Sequence, residues 1–213
     1  MVHKILKGYN TATQITYVLN RFTNMNQEEK TKKATEIIHN HVGFAASAGL
    51  IPIPGADLAA VTGVQLNMLR QLANLYEVKF MDSLGKNIIT AVVGSGIARV
   101  GASLIKAIPG VGTIIGEMSM AALSAASTYA LGKMFAAHFA KGGTLENFDP
   151  RASKKVYEEE MKKSKEVVSE IVKPESSTDD TIVKLKKLAE LRDAGILSEE
   201  EFLQMKGKLI AQM

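Results

Sequence analysis

The segment 110–116, Gly-Val-Gly-Thr-Ile-Ile-Gly, has the glycine content of a phosphate-binding loop. Such a loop needs a lysine and a hydroxyl side chain directly after its last glycine, because these groups contact the phosphates and the magnesium ion. Here Glu117 and Met118 follow instead. A dinucleotide-binding fingerprint would need a preceding β-strand, and no strand pattern is present. We therefore interpret the segment as a tight turn between closely packed helices and expect no nucleotide cofactor.

The four histidines are the candidate metal ligands. His39 and His41 are two residues apart, so on a helix their side chains point roughly 200° away from each other and do not easily share a metal ion. His3 and His138 are distant in sequence. The chain has no cysteine, which excludes disulfides, thiol nucleophiles and thiolate metal sites. A metal-dependent enzyme using the histidines and acidic groups such as Glu36 is the least favoured function, and we expect no metal.

Nucleophilic catalysis by serine is also disfavoured. The candidate serines lie in apolar helical stretches, where a hydroxyl normally bonds the carbonyl one turn back. These are Ser47, Ser95, Ser103, Ser119, Ser124 and Ser127. We expect a protein that is not an enzyme.

Polar residues beside the apolar segments are the candidates for binding a partner or a membrane. Asp57, Gln65 and Arg70 could form a buried polar site for a partner. They could also be a helix-start charge and two satisfied or exposed side chains, which we favour because buried polar groups are usually paired. Arg99 and Lys106 either lie on a solvated face or extend to lipid head groups. The complete candidate set is Pro52, Pro54, Asp57, Gln65, Arg70, Arg99, Lys106, Pro109, Gly110 and Gly112.

The elements that carry these residues have the pattern of an all-α helical bundle. Asn26 and Glu29 form a capping-box pattern for a helix that runs to about Gly49, before Pro52 and Pro54. A shorter helix is expected before Asn26, and another begins at residues 55–57, with apolar residues every three or four positions. Residues 83–108 and 111–140 form a long Gly/Ala-rich pair, which we expect to be two closely apposed helices.

The charge pattern bears on the location of the protein. The net charge is +4, without the concentrated basic stripe that nucleic-acid binding needs. A spanning helix needs about twenty apolar residues, and the charge-free runs 37–56 and 87–98 are interrupted or too short. We favour a bundle that associates peripherally with a membrane over one that inserts. The N-terminus lacks a secretion-signal pattern. The expected location is the cytoplasm, with peripheral or integral attachment to the inner membrane as a further option.

The C-terminal part is predicted to be a separate helical hairpin. A charged helix spans about 150–172, residues 173–180 have the composition of a linker, and residues 181–213 form two short amphipathic helices. Gly195 is expected to end the first, and Ser198 with Glu201 to cap the second, with Leu197 and Phe202 as a hydrophobic staple. Ile182 is expected on the apolar stripe of the first helix. The candidates for oligomerisation are Leu185, Leu188, Leu191, Phe202, Met205 and Leu209.

Three ordered blocks resemble the YcjF-type helical family of unknown function. They are Ile51-Pro52-Ile53-Pro54-Gly55-Ala56-Asp57, then Ile108-Pro109-Gly110-Val111-Gly112, then Thr128-Tyr129-Ala130-Leu131-Gly132-Lys133. The resemblance covers about 30–145 of a helical domain at 1–172. The resemblance implies a bacterial protein associated with a small GTPase. Because this chain has no GTP-binding domain of its own, that association would act in trans. The resemblance also implies membrane association, which some members of the family show.

Residues 181–213, above all the run from Leu185 to Phe202, are similar to the short C-terminal (SHOCT) domain, a resemblance that implies oligomerisation or docking. We therefore expect a non-enzymatic helical interaction module that docks a protein partner or a membrane surface, without nucleic acid, and forms a homo-oligomer. The alternative is a membrane-perturbing or pore-forming protein that inserts the helix pair 87–140.

Overall fold

The computed structural model describes residues 26–50, 56–94, 120–171 and 181–211. Within these ranges the chain is helical and contains no β-strand, which confirms the predicted all-α fold. The α-helices are α1 Gln27–Ala48, α2 Ala56–Leu75, α3 Asp82–Ile89, α4 Met120–Ala140, α5 Pro150–Lys163, α6 Lys165–Ile171, α7 Thr181–Asp193 and α8 Glu199–Ile210. A π-helical turn, Thr90–Gly94, directly follows α3.

The helix ends follow the predicted capping chemistry. The Asn26 side chain accepts a hydrogen bond from the Glu29 amide at 2.8 Å, and the Glu29 carboxylate accepts one from the Asn26 amide at 3.2 Å. Ser198 and Glu201 make the same reciprocal pair at the start of α8. Gly195 ends α7 with a φ of 68°, a left-handed conformation that glycine adopts without strain. The charged helix predicted over 150–172 is present as α5 and α6, with Ser164 between them.

Helix α4 lies at the centre of the bundle, where it packs most extensively on α1 and also contacts α2 and α5. Gly132 makes this close packing possible. A Cβ atom at Gly132 would lie 2.7 Å from Cγ1 of Ile38 on α1 and 3.0 Å from Sδ of Met68 on α2. The close packing expected between 83–108 and 111–140 depends on residues 95–119, which lie outside the described ranges, so it stays a prediction.

Two hydrophobic cores hold the described residues together. The main core joins α1 to α6, with Phe135, Leu131, Ile38, Met68, Leu69 and Leu72 among its fully buried side chains. The second core lies between the C-terminal hairpin, α7 and α8, and one end of α1 and α2. This second core includes Ala45 and Ala48 of α1 and Ala60 and Val64 of α2, so the hairpin packs on the main bundle of its own chain.

Several predicted features lie outside the described residues. They are the short helix before Asn26, the Pro52–Pro54 turn, the ranges 95–108 and 111–119 of the long helix pair with the turn between them, and the linker 173–180.

Candidate functional site

A buried polar cluster among the described residues joins three helices. Gln65 of α2 donates from Nε2 to the hydroxyls of Ser127, at 3.2 Å, and Thr128, at 3.3 Å, both on α4. Tyr157 of α5 donates its hydroxyl to Ser127 Oγ at 2.8 Å. All four side chains are buried, and Gln65 is only 1% exposed. The network thereby fixes the relative positions of α2, α4 and α5.

The protonation state of this cluster is set by burial. Removal from water raises the pKa of the Tyr157 hydroxyl to about 12, while its hydrogen bond with Ser127 acts in the opposite direction. At neutral pH the cluster therefore consists of three neutral hydroxyls and one neutral amide. Such a group is suited to holding helices in register rather than to transferring protons.

Gln65 and Arg70, which the sequence analysis placed in one candidate site, lie in different environments. Arg70 is on the surface, where its guanidinium pairs with the Asp82 carboxylate and lies 5.5 Å from the centroid of the Phe80 ring. Asp57 lies in the first turn of α2, which begins at Ala56. The structure therefore does not bring Gln65 and Arg70 together at one surface. The other candidates of this set, Pro52, Pro54, Arg99, Lys106, Pro109, Gly110 and Gly112, lie outside the described residues.

Two of the histidines are held by hydrogen bonds. His41 is 3% exposed, with Nδ1 2.7 Å from the Ile37 carbonyl oxygen and Nε2 2.9 Å from Asn67 Oδ1. His138 Nε2 lies 2.9 Å from the carbonyl oxygen of Thr144, to which it donates. His39 is exposed, with its ring centroid 6.5 Å from that of Tyr129. Across the described ranges, no three His, Asp or Glu side chains are grouped so that they could hold a metal ion.

The six oligomerisation candidates pack inside a single chain. Leu188, Leu191, Phe202, Met205 and Leu209 are buried, and Leu185 packs against them. The guanidinium of Arg192 covers Phe202 from outside, 4.4 Å from the ring centroid. An assembly interface built from these six side chains would first require the hairpin to leave its own bundle. Ile182, expected on the same stripe, is instead 72% exposed.

Sequence reasoning missed the roles of Ser127, Thr128 and Tyr157. It expected the Ser127 hydroxyl to bond within its own helix, whereas the hydroxyl accepts hydrogen bonds from α2 and α5. The available signal was Tyr157, an aromatic residue within the otherwise charged stretch 150–163. No helix among the described residues is both long enough and apolar enough to cross a membrane.

The comparisons with known proteins agree with both resemblances. Residues 14–173 match the domain of unknown function DUF697, and residues 184–210 match the short C-terminal domain. The chain is also 34% identical over 144 residues to "Magnetosome membrane protein 22" of Magnetospirillum gryphiswaldense. The aligned segment covers 65% of this chain and 73% of that relative. No solved structure matches. The chain therefore belongs to the DUF697 family, the YcjF-like and GTPase-associated family, and carries a C-terminal SHOCT domain.

Proposed function

We propose that this protein is a non-enzymatic helical docking module that attaches to the cytoplasmic surface of a membrane and positions a protein partner there. The observation that carries the proposal is the 34% identity over 144 residues to a protein whose name places it in the magnetosome membrane. The family resemblance makes a small GTPase acting in trans the first candidate for the partner.

The chemistry of the described residues supports a docking role over catalysis. The polar cluster around Gln65 is sealed in the core, and Tyr157 keeps its proton through the neutral range. His41 is buried and has an oxygen atom within hydrogen-bond distance of each ring nitrogen. Catalytic acids and bases need access to a substrate, which burial denies to these groups.

The membrane-contacting part is proposed to be the charge-poor sequence between α3 and α4. Over residues 95–119 the charged residues are Arg99, Lys106 and Glu117, so the segment is apolar with an excess of one positive charge. Basic residues attract anionic lipids by about 1 kcal/mol each near the surface, and their alkyl stems can lie along apolar groups. Arg99 and Lys106 are therefore the residues that we assign to lipid head groups.

Vesicle flotation tests the proposal. The purified full chain should float with vesicles of mixed phosphatidylcholine and phosphatidylglycerol, and less with phosphatidylcholine alone. The double variant Arg99→Glu/Lys106→Glu should bind the anionic vesicles at least about tenfold more weakly, because two attractive charges become repulsive. The matched control is Lys155→Glu/Lys162→Glu, two exposed lysines with the same seven-residue spacing on α5.

Three results would contradict parts of this proposal. A wild-type chain that stays at the bottom of the gradient with both vesicle types would rule out membrane attachment. Equal losses for the two double variants would remove the assignment of Arg99 and Lys106. Release of an encapsulated dye by the bound protein would favour the membrane-perturbing alternative over a docking module.

A further inference from the structure

The C-terminal hairpin carries its charges in two separate halves. The half next to the connecting loop, residues 190–204, contains five acidic residues and one basic residue, Arg192, which pairs with Asp193. The opposite half consists of the start of α7 and the end of α8, residues 181–189 and 205–211, and we call it the open end of the hairpin. The open end contains no acidic residue. Its basic residues are Lys184, Lys186, Lys187, Lys206 and Lys208.

Two isoleucines at the open end face solvent. Ile182, in the first turn of α7, is 72% exposed, and Ile210, the last residue of α8, is 49% exposed. The helices run antiparallel, since the short connection 194–198 joins them and their apolar residues share the second core. Both isoleucines therefore lie at the same end of the hairpin. The loop end packs on α2, where the carbonyl oxygen of Ile196 would lie 3.3 Å from a Cβ atom at Gly63.

A lysine lies one helical turn behind each isoleucine. Lys186 follows Ile182 on α7 and Lys206 precedes Ile210 on α8, each by four positions. Residues four apart are neighbours on one helix face, so each lysine shares the face of its isoleucine and lies one turn nearer to the loop. Both lysine side chains are exposed. The open end thus has an apolar tip with ammonium groups directly behind it.

This arrangement is complementary to the surface of an anionic membrane. Isoleucine side chains gain free energy by leaving water for the boundary between head groups and acyl chains, and lysines attract anionic head groups. The alkyl stem of a lysine can lie along apolar groups while its ammonium stays at the phosphates. A nucleic acid would attract the same lysines, but it recognises proteins through exposed aromatic side chains, and the one aromatic residue of the hairpin, Phe202, is buried.

We propose that the open end of the hairpin binds the surface of a membrane that contains anionic lipids. Ile182 and Ile210 insert at the boundary of the acyl chains, and Lys186 and Lys206 contact the phosphates. The inference rests on the proposed membrane attachment and adds a second contact to that of segment 95–119. It uses none of the buried residues of the second core, so the hairpin stays on its bundle. Two contacts on one chain hold it more tightly than either alone, because the first raises the effective concentration of the second.

Vesicle flotation of charge variants tests the electrostatic part of the inference. On vesicles of mixed phosphatidylcholine and phosphatidylglycerol, Lys186→Glu/Lys206→Glu should bind at least about tenfold more weakly than wild type, because two attractive charges become repulsive. The difference should shrink at high salt, which screens exposed charges. The matched control is Lys155→Glu/Lys162→Glu, which makes the same change in net charge at exposed positions on α5 and should bind like wild type.

Tryptophan fluorescence tests the position of the tip, because the sequence contains no tryptophan of its own. Ile210→Trp places a single reporter at the tip, and Val156→Trp places one at a 44% exposed apolar position on α5. With the anionic vesicles, the emission of Ile210→Trp should shift to shorter wavelength and be quenched by lipids brominated on their acyl chains. The emission of Val156→Trp should change in neither respect. Circular dichroism confirms that every variant remains folded.

Three results would overturn this inference while membrane attachment stands. The first is a chain that floats although the emission of Ile210→Trp does not change. The second is an equal spectral shift for Ile210→Trp and Val156→Trp, which would show unspecific adsorption. The third is binding of a labelled oligonucleotide that Lys186→Glu/Lys206→Glu loses, without a spectral shift on vesicles, which would make the open end a nucleic-acid surface.

Two other results separate this inference from the proposed function. A wild-type chain that does not float would overturn both. If Arg99→Glu/Lys106→Glu floats like wild type while the emission of Ile210→Trp shifts, the contact of the open end is supported and the assignment of Arg99 and Lys106 to lipid head groups is wrong.

Discussion

Replacing Gly132 with alanine tests whether the bundle depends on close contact between α4 and α1. In most helices this replacement is stabilising by about 1 kcal/mol, because glycine loses more backbone entropy on folding. Here the added Cβ would lie 2.7 Å from Ile38 Cγ1, closer than real Cβ contacts come, and 3.2 Å from Ile38 Cγ2, which is tighter than most contacts. Ile38 is 1% exposed and branched at Cβ, so it cannot turn aside easily. We therefore expect Gly132→Ala to destabilise the fold.

Two opposed contributions set the change in the free energy of unfolding for Gly132→Ala. Overpacking a filled core costs about 1–3 kcal/mol, and the gain in helix propensity offsets about 1 kcal/mol of that. Met68 Sδ, 3.0 Å from the new Cβ, belongs to a flexible side chain and gives way more readily than Ile38. The expected net loss is up to about 2 kcal/mol, which lowers the melting temperature by up to roughly 8 °C for a chain of this size.

Gly43→Ala is the matched control within the same bundle. Gly43 lies in α1, and among the described residues its new Cβ would meet only Ile171 Cγ2, at an ordinary 3.9 Å. This variant should be stabilised by about 0.5–1 kcal/mol, because only the propensity term applies. Urea and thermal unfolding followed by circular dichroism measure both variants. A Gly132→Ala protein as stable as Gly43→Ala would show that α4 and α1 are not in the close contact described.

Two further predictions concern the hairpin and the buried cluster. Leu188→Ala should reduce the free energy of unfolding by about 2–5 kcal/mol, because Leu188 is fully buried in the second core. Ile182→Ala, at a 72% exposed position on the same helix, should change it by less than about 0.5 kcal/mol, and equal urea midpoints for the two would contradict the docking of the hairpin. The pKa of Tyr157 is raised to about 12 in the folded chain, whereas in the unfolded chain it is near 10.0. The stability due to the protonated Tyr157 is therefore fully present below pH 10 and is lost between pH 10 and 12. In that window the free energy of unfolding of the wild type should fall by up to about 1.4 kcal/mol per pH unit relative to that of Tyr157→Phe. Parallel pH profiles of the free energy of unfolding for the two proteins would argue against a buried Tyr157 hydroxyl.

The features that could be predicted from sequence are those set by local chemistry. The capping boxes at Asn26 and Ser198 need only residues within three positions of each other, and the glycine end of α7 needs only one residue. The spacing of apolar residues likewise predicted the helices. Each of these follows from interactions within one or two helical turns, which do not depend on the rest of the fold.

The features that could not be predicted depend on which helices meet. Gly132 could serve a neighbour on either side of α4, and the spacing of small residues does not say that Ile38 of α1 and Met68 of α2 are the side chains that it meets. Gln65 and Tyr157 are 92 positions apart and meet only through Ser127, so neither residue by itself indicates a buried network. A polar residue on an apolar stripe has the same pattern whether it awaits a partner or already has one.

The hairpin shows why the same limit applies to function. Apart from Ile182, its apolar stripe was located from sequence, and an amphipathic helix must bury such a stripe against another surface. Sequence periodicity does not say whether the covering surface belongs to the same chain or to another. Here the alanine-rich ends of α1 and α2 cover it, so the side chains with the strongest pattern are already used within the fold. The exposed apolar residues Leu203 and Ile210 form a weaker pattern, which becomes visible only after the stronger pattern has been assigned to the chain's own core.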